Sequence, residues 1–374
     1  MSRPASEYTI VFVAHTGQVS GAEKVMLDLI DVAVGRGHRV RVVSPDGPLP
    51  GRLPAGVDHV AIPPLGLSGE RGVARLAGAG RLVVDWVRAG RILRRVSRTT
   101  GASTIVNSLF ALPAARIARP TGRVSWLVHD TLSSGRQRAV LRVSAPVIRR
   151  AVSVSEATAV PLAELGLPVV VAYNGVTWPV DALPADLHDP PVVGMLALLT
   201  PWKGHAVALD AVAALPDVDL EFAGGSFPGD ADHVAALRDR AGEPDLAGRV
   251  RFLGHTDLRA ALQRWDVVLS ASVTPEAGPL SVLEAMAYGK PVIGTDHGGT
   301  TEFLRDGAGV LVPPSDPAAL AAAINRVLGD ADLRRSLTAE ARRRIADGHD
   351  KSATLPRMLD ELLSGRGEVR GRAL

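Results

Sequence analysis

No cysteine occurs in the 374 residues. That removes disulfides, thiolate metal sites and cysteine nucleophiles together, and it suits a reducing compartment. Aromatic residues are scarce at 4%, too few for a surface built on base stacking. Neither sign of charge dominates: 42 Lys and Arg against 39 Asp and Glu leave +3, so nucleic acid is not an expected partner. No apolar run approaches the roughly 20 residues that span a bilayer. Met1–Glu7 is polar and leads into a short apolar-leaning stretch, Tyr8–Val13, too short for a signal-peptide core. A cytoplasmic protein is expected, free or peripheral on the inner face of the membrane. The absence of a Walker loop and of Gly-x-Gly-x-x-Gly argues against an NTPase or a dehydrogenase.

What is present is a βα rhythm. Short apolar runs such as Tyr8–Ala14, His38–Ser44, Val124–Val128, Val192–Leu198 and Asp266–Ala271 alternate with longer amphipathic stretches, the pattern of doubly wound parallel sheets. The chain exceeds the usual size of one core, so two such domains are expected. Thr177–Pro191 carries four prolines and several acids and reads as the linker. The expected division is therefore an N-terminal domain 1–176, a linker 177–191, a C-terminal domain 192–350, and a closing helix and tail 351–374. No 20–50-residue repeat is visible, so a solenoid is not expected.

The densest constellation runs from Thr274 to Thr295. After a strand ending near Ala271, a loop Thr274-Pro-Glu276-Ala-Gly278-Pro279 leads into a helix that carries Glu284. Proline suits the first turn of a helix, and the ends of parallel strands are where open α/β sheets hold ligands. Backbone N–H groups around Leu280 and Ser281 would face the crevice and favour an anion such as a diphosphate. Glu284 could accept both hydroxyls of a ribose, and Glu276 would face a sugar ring. An acid near a helix start is often no more than a partner of the dipole. Two acids flanking a Gly-Pro strand-to-helix turn point instead to a ligand.

Glu276-x7-Glu284 followed by Ala-Met-Ala-x-Gly-x-Pro-Val resembles the signature of glycosyltransferase family 4, whose members are retaining enzymes of the GT-B fold. The resemblance continues through His297-Gly-Gly-Thr-Thr-Glu302, and earlier through Ser20-Gly-Ala-Glu23, Trp126-Leu-Val-His-Asp130, Val154-Ser-Glu156, Tyr173-Asn-Gly-Val176 and Pro201-Trp-Lys-Gly204. It implies two Rossmann-like domains facing across a cleft, the first for the acceptor and the second for a UDP-, GDP- or dTDP-sugar donor. It implies that Lys203 neutralises the donor diphosphate and that Gly21 brings backbone close to it. Gly278, Leu280 and Ser281 would line the donor, Glu284 would hold the ribose, Glu276 the transferred sugar, and His129 the sugar or acceptor. No cofactor and no obligatory metal are expected. The chain departs from the family at three places: Leu198 stands where an arginine is usual, Ser20 replaces a glycine, and Thr177 replaces an aspartate. Arg251 and Arg305 are candidates to supply the missing cation.

The stretch Arg71–Arg98 holds eight arginines against the single acid Asp85. Arg81, Arg88, Arg91, Arg95 and Arg98 fall on one helical side, with Leu82, Trp86, Leu93 and Val96 on another. A solvated face is the ordinary reading; an interfacial helix on anionic lipid, with Trp86 toward the acyl chains, is the sharper one. The acceptor stays open among a small metabolite, a lipid carrier and a polysaccharide. Two rivals to a transferase remain: a GT-B nucleotide-sugar epimerase, and a non-catalytic sugar-nucleotide-binding module.

Overall fold

The apolar runs build two separate parallel sheets in the computed structural model, which describes residues 9–66, 73–98, 102–184 and 186–364. Met1–Glu7, Tyr8, Arg71 and the tail from 365 onward lie outside the described residues. Residues up to Ala172 together with those from Leu355 onward make one compact unit, and Tyr173–Thr354 make the other. The division thus falls a few residues before the expected one at 176, and the Pro-rich stretch 177–191 belongs to the second unit. The reason is local. Leu183 N–H donates to Tyr288 O at 2.9 Å, and Arg342 stacks on Trp178, 4.7 Å from the ring centre, while donating to Val180 O at 3.0 Å. A stretch expected to connect is instead packed down.

The first unit starts with β1 (Thr9–Val13), α1 (Gly21–Gly35), β2 (Arg39–Ser44), β3 (Asp58–Ala61) and α2 (Val73–Val96). It continues with β4 (Ser103–Val106), α3 (Leu112–Ala118), β5 (Val124–Val128), α4 (Gly135–Ser144), β6 (Arg150–Ser153), α5 (Glu156–Glu164) and β7 (Val169–Val171). The sheet order is β3-β2-β1-β4-β5-β6-β7, with every pairing parallel. Parallel sheets are covered on both faces, so their strands read as near-continuous apolar runs. β5 does so: all five of its residues are buried, and Trp126 is the bulkiest side chain of this core.

The second unit holds β8 (Val192–Leu196), α6 (His205–Ala213), β9 (Asp219–Ala223), α7 (Ala231–Ala241), β10 (Val250–Gly254), α8 (Leu258–Gln263) and β11 (Val267–Ser270). Then come α9 (Leu280–Ala287), β12 (Val292–Thr295), α10 (Gly298–Leu304), β13 (Val310–Val312), α11 (Pro317–Gly329) and α12 (Ala331–Gly348). Its sheet order is β10-β9-β8-β11-β12-β13, again parallel throughout. Gly194 in β8 is needed for packing, since a Cβ there would lie 1.7 Å from the Trp265 ring.

The last helix, α13 (Lys351–Leu363), begins in the second unit, and its part from Leu355 counts with the first. Leu355, Met358, Leu359 and Leu362 are buried. Asp360 pairs with Arg36 at the end of α1 at 2.6 Å, and Glu361 pairs with Arg150 of β6. Ser125 of β5 donates to Leu362 O at 2.6 Å.

In both sheets the strand order reverses once, between β1 and β4 in the first and between β8 and β11 in the second. Those reversal points, at the carboxyl ends of the strands, are where diverging loops leave a crevice.

Candidate functional site

At the reversal point of the second sheet, the loop after β8 meets the loop after β11. Gly204 adopts φ +78°, and a Cβ there would sit 1.9 Å from Ala271 O, so only glycine lets the two loops touch. Val273 N–H donates to Trp202 O at 2.9 Å and fastens the contact. Lys203 on the first loop and Glu276 on the second are thereby brought together: Lys203 Nζ lies 2.5 Å from Glu276 Oε2. Both are largely enclosed, the lysine side chain 14% exposed and the glutamate 9%. Lys203 also sits 4.2 Å from the centre of the Trp202 ring, a cation–π contact.

The other carboxylate oxygen of Glu276 accepts from Ser272 Oγ. Ser272 is itself pinned through its carbonyl, which accepts from Thr295 Oγ1 at 2.9 Å and from His297 Nε2 at 2.8 Å. The peptide of Glu276 is clamped from the next loop. Gly299 N–H donates to Glu276 O at 2.8 Å, and Gly298, at φ +59°, approaches that carbonyl where a Cβ would be 2.4 Å away.

Pro279 is the N-cap of α9 rather than its first residue. Having no hydroxyl or carboxylate, it leaves the N–H groups of Leu280 and Ser281 without a capping side chain, and such groups suit an anion. Gly278 O accepts from Asn174 Nδ2 at 2.9 Å, which fixes the loop just before the helix. Glu284 stands on the second turn of α9, half-buried.

The proposed stand-ins for the missing arginine do not serve equally. Arg251, on the terminal strand β10, is engaged with Glu221 Oε1 at 2.7 Å and Asp219 at 3.1 Å. Glu221 is fully buried on β9; burial pushes its carboxyl up, and hydrogen bonds from Arg264, Arg251 and Trp265 outweigh that and hold it low. That network ties the Arg251 guanidinium to two carboxylates of β9. Arg305 is exposed and 3.6 Å from Asp306. Leu198 is half-buried in the loop after β8. Gly224 and Gly225, which follow β9, stand where packing leaves no room for a side chain: added Cβ atoms would lie 1.9 Å from Ala197 O and 2.6 Å from His255 Nε2.

In the first unit the corresponding edge carries a second group. Gly21, expected in a glycine-rich loop, is instead the first residue of α1 and is exposed. Ser20 caps that helix, and Glu23, 1% exposed, turns back to accept from Ser20 N–H at 3.1 Å and Ser20 Oγ at 2.5 Å. A capping pair therefore explains Ser20 where the family usually has glycine. His129 follows β5; its Nε2 is enclosed without a hydrogen-bond partner, and burial pulls the imidazole down to about 4. It is neutral at pH 7. Burial pushes the neighbouring Asp130 carboxyl up, against the Leu109 N–H that donates to it at 2.7 Å.

Lys203, Glu276, Glu284 and His129 were candidates from the sequence, whereas Ser272, Asn174, His297 and Thr295, which hold or surround Glu276 and its loop, had no role assigned from it. Asn174 and His297 lay inside matched motifs. Ser272 carried no signal beyond lying four residues before Glu276. Among the described residues, no group of three or more His, Asp or Glu could hold a metal ion, and no helix is long and apolar enough to cross a membrane.

Comparison with known proteins gives concordant matches over both units. Residues 19–177 match the model described as Glycosyltransferase Family 4, and residues 184–344 match that of Glycosyl transferases group 1. The phosphatidyl-myo-inositol mannosyltransferase of Mycolicibacterium smegmatis is 32% identical over 379 aligned residues, covering 94% of each chain. The D-inositol 3-phosphate glycosyltransferase of Jonesia denitrificans is 36% identical over 163 residues, 41% of this chain and 38% of its own. Among solved structures, Anabaena Alr3699/HepE in complex with UDP and glucose superposes with a TM-score of 0.79 at 23% identity, covering 95% of this chain and 99% of its own. The two-domain architecture is thus the GT-B fold.

Proposed function

The chain belongs to glycosyltransferase family 4, and from that premise we propose that it moves a sugar from a nucleotide-sugar to a hydroxyl of an inositol-bearing phospholipid, with retention of anomeric configuration. The observation that carries the donor side is the meeting of Lys203 and Glu276 beside the open start of α9. A leaving nucleoside diphosphate gathers negative charge as its bond to the sugar breaks, and a lysine together with backbone N–H groups stabilises that charge. In this reading Lys203, Leu280 and Ser281 hold the diphosphate, Gly278 lines it, and Glu284 takes the ribose hydroxyls. Glu276 faces the transferred sugar. The solved relative that holds UDP and glucose supports a nucleotide-sugar donor.

The acceptor is assigned to the first unit, at the sheet edge that carries His129 and Asp130. Its chemistry rests on the mycobacterial relative, which shares about a third of its residues with this chain over nearly the full length of both. A second support is the exposed basic side of α2, where Arg88, Arg91 and Arg95 are turned outward. Lipid substrates require the enzyme to reach a membrane surface, and a basic face gives the attraction.

The test is incubation with UDP-, GDP- and dTDP-sugars and vesicles containing phosphatidylinositol. Nucleoside diphosphate release that depends on the lipid is the expected result, and proton NMR of the glycolipid from an α-linked donor should show an α-linkage. A β-linked product would rule out retention. Donor consumed without any acceptor would mean an epimerase or a hydrolase. Transfer to soluble inositol compounds alone would remove the lipid from the reading.

A further inference from the structure

The carboxylate of Glu276 has two donors, and they differ in how firmly they are held. Lys203 reaches Oε2 at 2.5 Å from the end of a flexible four-carbon stem. Ser272 reaches Oε1 from a short side chain that is 1% exposed. Its backbone is tied to β12 and the loop beyond it by Thr295 Oγ1 at 2.9 Å and His297 Nε2 at 2.8 Å. The arriving diphosphate carries more negative charge than one carboxylate, so it competes for the lysine. A lysine can swing to it; the serine cannot follow.

We propose that Ser272 is a positioning residue for the transfer: it keeps Glu276 aimed at the sugar while Lys203 is handed from Glu276 to the donor diphosphate. Without Ser272, the departure of Lys203 leaves a nearly buried carboxylate with no donor from either neighbour, and such a group turns toward any N–H or water it can reach. Thr295 and His297 act one step back, by holding the serine. The inference rests on the proposed assignment of Lys203 to the diphosphate and Glu276 to the sugar. It adds a requirement that neither assignment contains: the hydroxyl matters in the donor-bound enzyme more than in the free one.

The experiment compares wild type, Ser272→Ala, Ser272→Thr and Thr295→Val by steady-state kinetics, nucleoside diphosphate titration and thermal unfolding. Ser272→Ala should lower kcat by about 10- to 100-fold, the loss of one charge-assisted hydrogen bond at the reacting sugar. Donor KM and nucleoside diphosphate affinity should stay within about two-fold, as for an interaction made after binding. Ser272→Thr keeps the hydroxyl and should recover most of the rate. If the extra methyl prevents that variant from folding, Thr295→Val decides, with a smaller fall in kcat at unchanged KM expected. Wild-type kcat in Ser272→Ala would overturn the proposal. So would a folded Ser272→Thr no faster than the alanine variant, no loss in Thr295→Val, or a loss that appears equally in nucleotide affinity. A wild-type protein that turns over no nucleotide-sugar overturns the parent assignment as well, so the two failures are told apart by the wild-type control.

Discussion

Removing Lys203 strands the charge of Glu276, because the carboxylate is nine-tenths enclosed and the ammonium is its only ion-pair partner among the described residues. Breaking one side of a buried pair commonly costs about 3–5 kcal/mol, whereas replacing both members costs much less. Lys203→Met should therefore lower the melting temperature, with Glu276→Gln milder because a lone lysine can extend to water. The double variant should be more stable than Lys203→Met alone. Calorimetry on the four proteins completes the cycle, and additive single effects would mean the two groups do not interact. Lysine variants must accordingly be judged on stability as well as turnover. The two residues were legible in the sequence because each sits in a motif of fixed spacing, but their contact was not. They lie 73 positions apart, and only the adjacency of β8 and β11 with a glycine at 204 brings them together. Ser272 was illegible for a related reason, since a serine in a loop follows no period.

At the scale of elements, the strand and helix series was readable from the alternation of apolar runs, with ends shifted by one or two residues where caps decide. Gly21 entering α1 is one case, and Pro279 standing outside α9 is another. The helix α2 shows a different limit. The sequence placed Leu82, Trp86, Leu93 and Val96 on one side, and the structure uses that side for the core: Leu82 and Leu93 are buried, and Trp86 Nε1 donates to Phe110 O at 2.8 Å. Trp86 is therefore not available to lipid, contrary to the interfacial expectation, because one face cannot serve two partners. What faces outward is the arginine side, with Val83 and Val84 about half exposed beside it. If α2 meets the membrane, it does so through these groups. Co-sedimentation with vesicles should require anionic lipid and weaken with salt, over a screening length of about 10 Å at 0.1 M. Changing Arg88, Arg91 and Arg95 to Gln should cost about 1 kcal/mol per residue near the surface, and Val84→Asp should weaken binding further. Equal binding to neutral vesicles would exclude this face.

For the whole molecule, each unit carries a histidine that resists protonation. Burial pulls His129 down to about 4 and His205 to about 3. His205 is fully enclosed, neither ring nitrogen has a partner, and it packs edge-on against Phe222. The unfolded chain takes up protons near the ordinary value of 6.5. Stability is therefore whole above that pH and declines as pH falls toward the folded values, at about 1.4 kcal/mol per unit for each group. Thermal unfolding between pH 7 and pH 4 should show the decline, and His205→Leu should flatten it; an unchanged slope would mean the ring is solvated. The route of the chain has another consequence. Strands β5 and β6 and the end of α1 are covered by Leu355–Leu363, a segment that emerges from the ribosome only after the entire second unit. The first unit is thus synthesised early but finished late. Until that segment arrives, the nascent chain keeps open the apolar surface that Leu355, Met358, Leu359 and Leu362 will cover, a surface that chaperones would meet before the helix does.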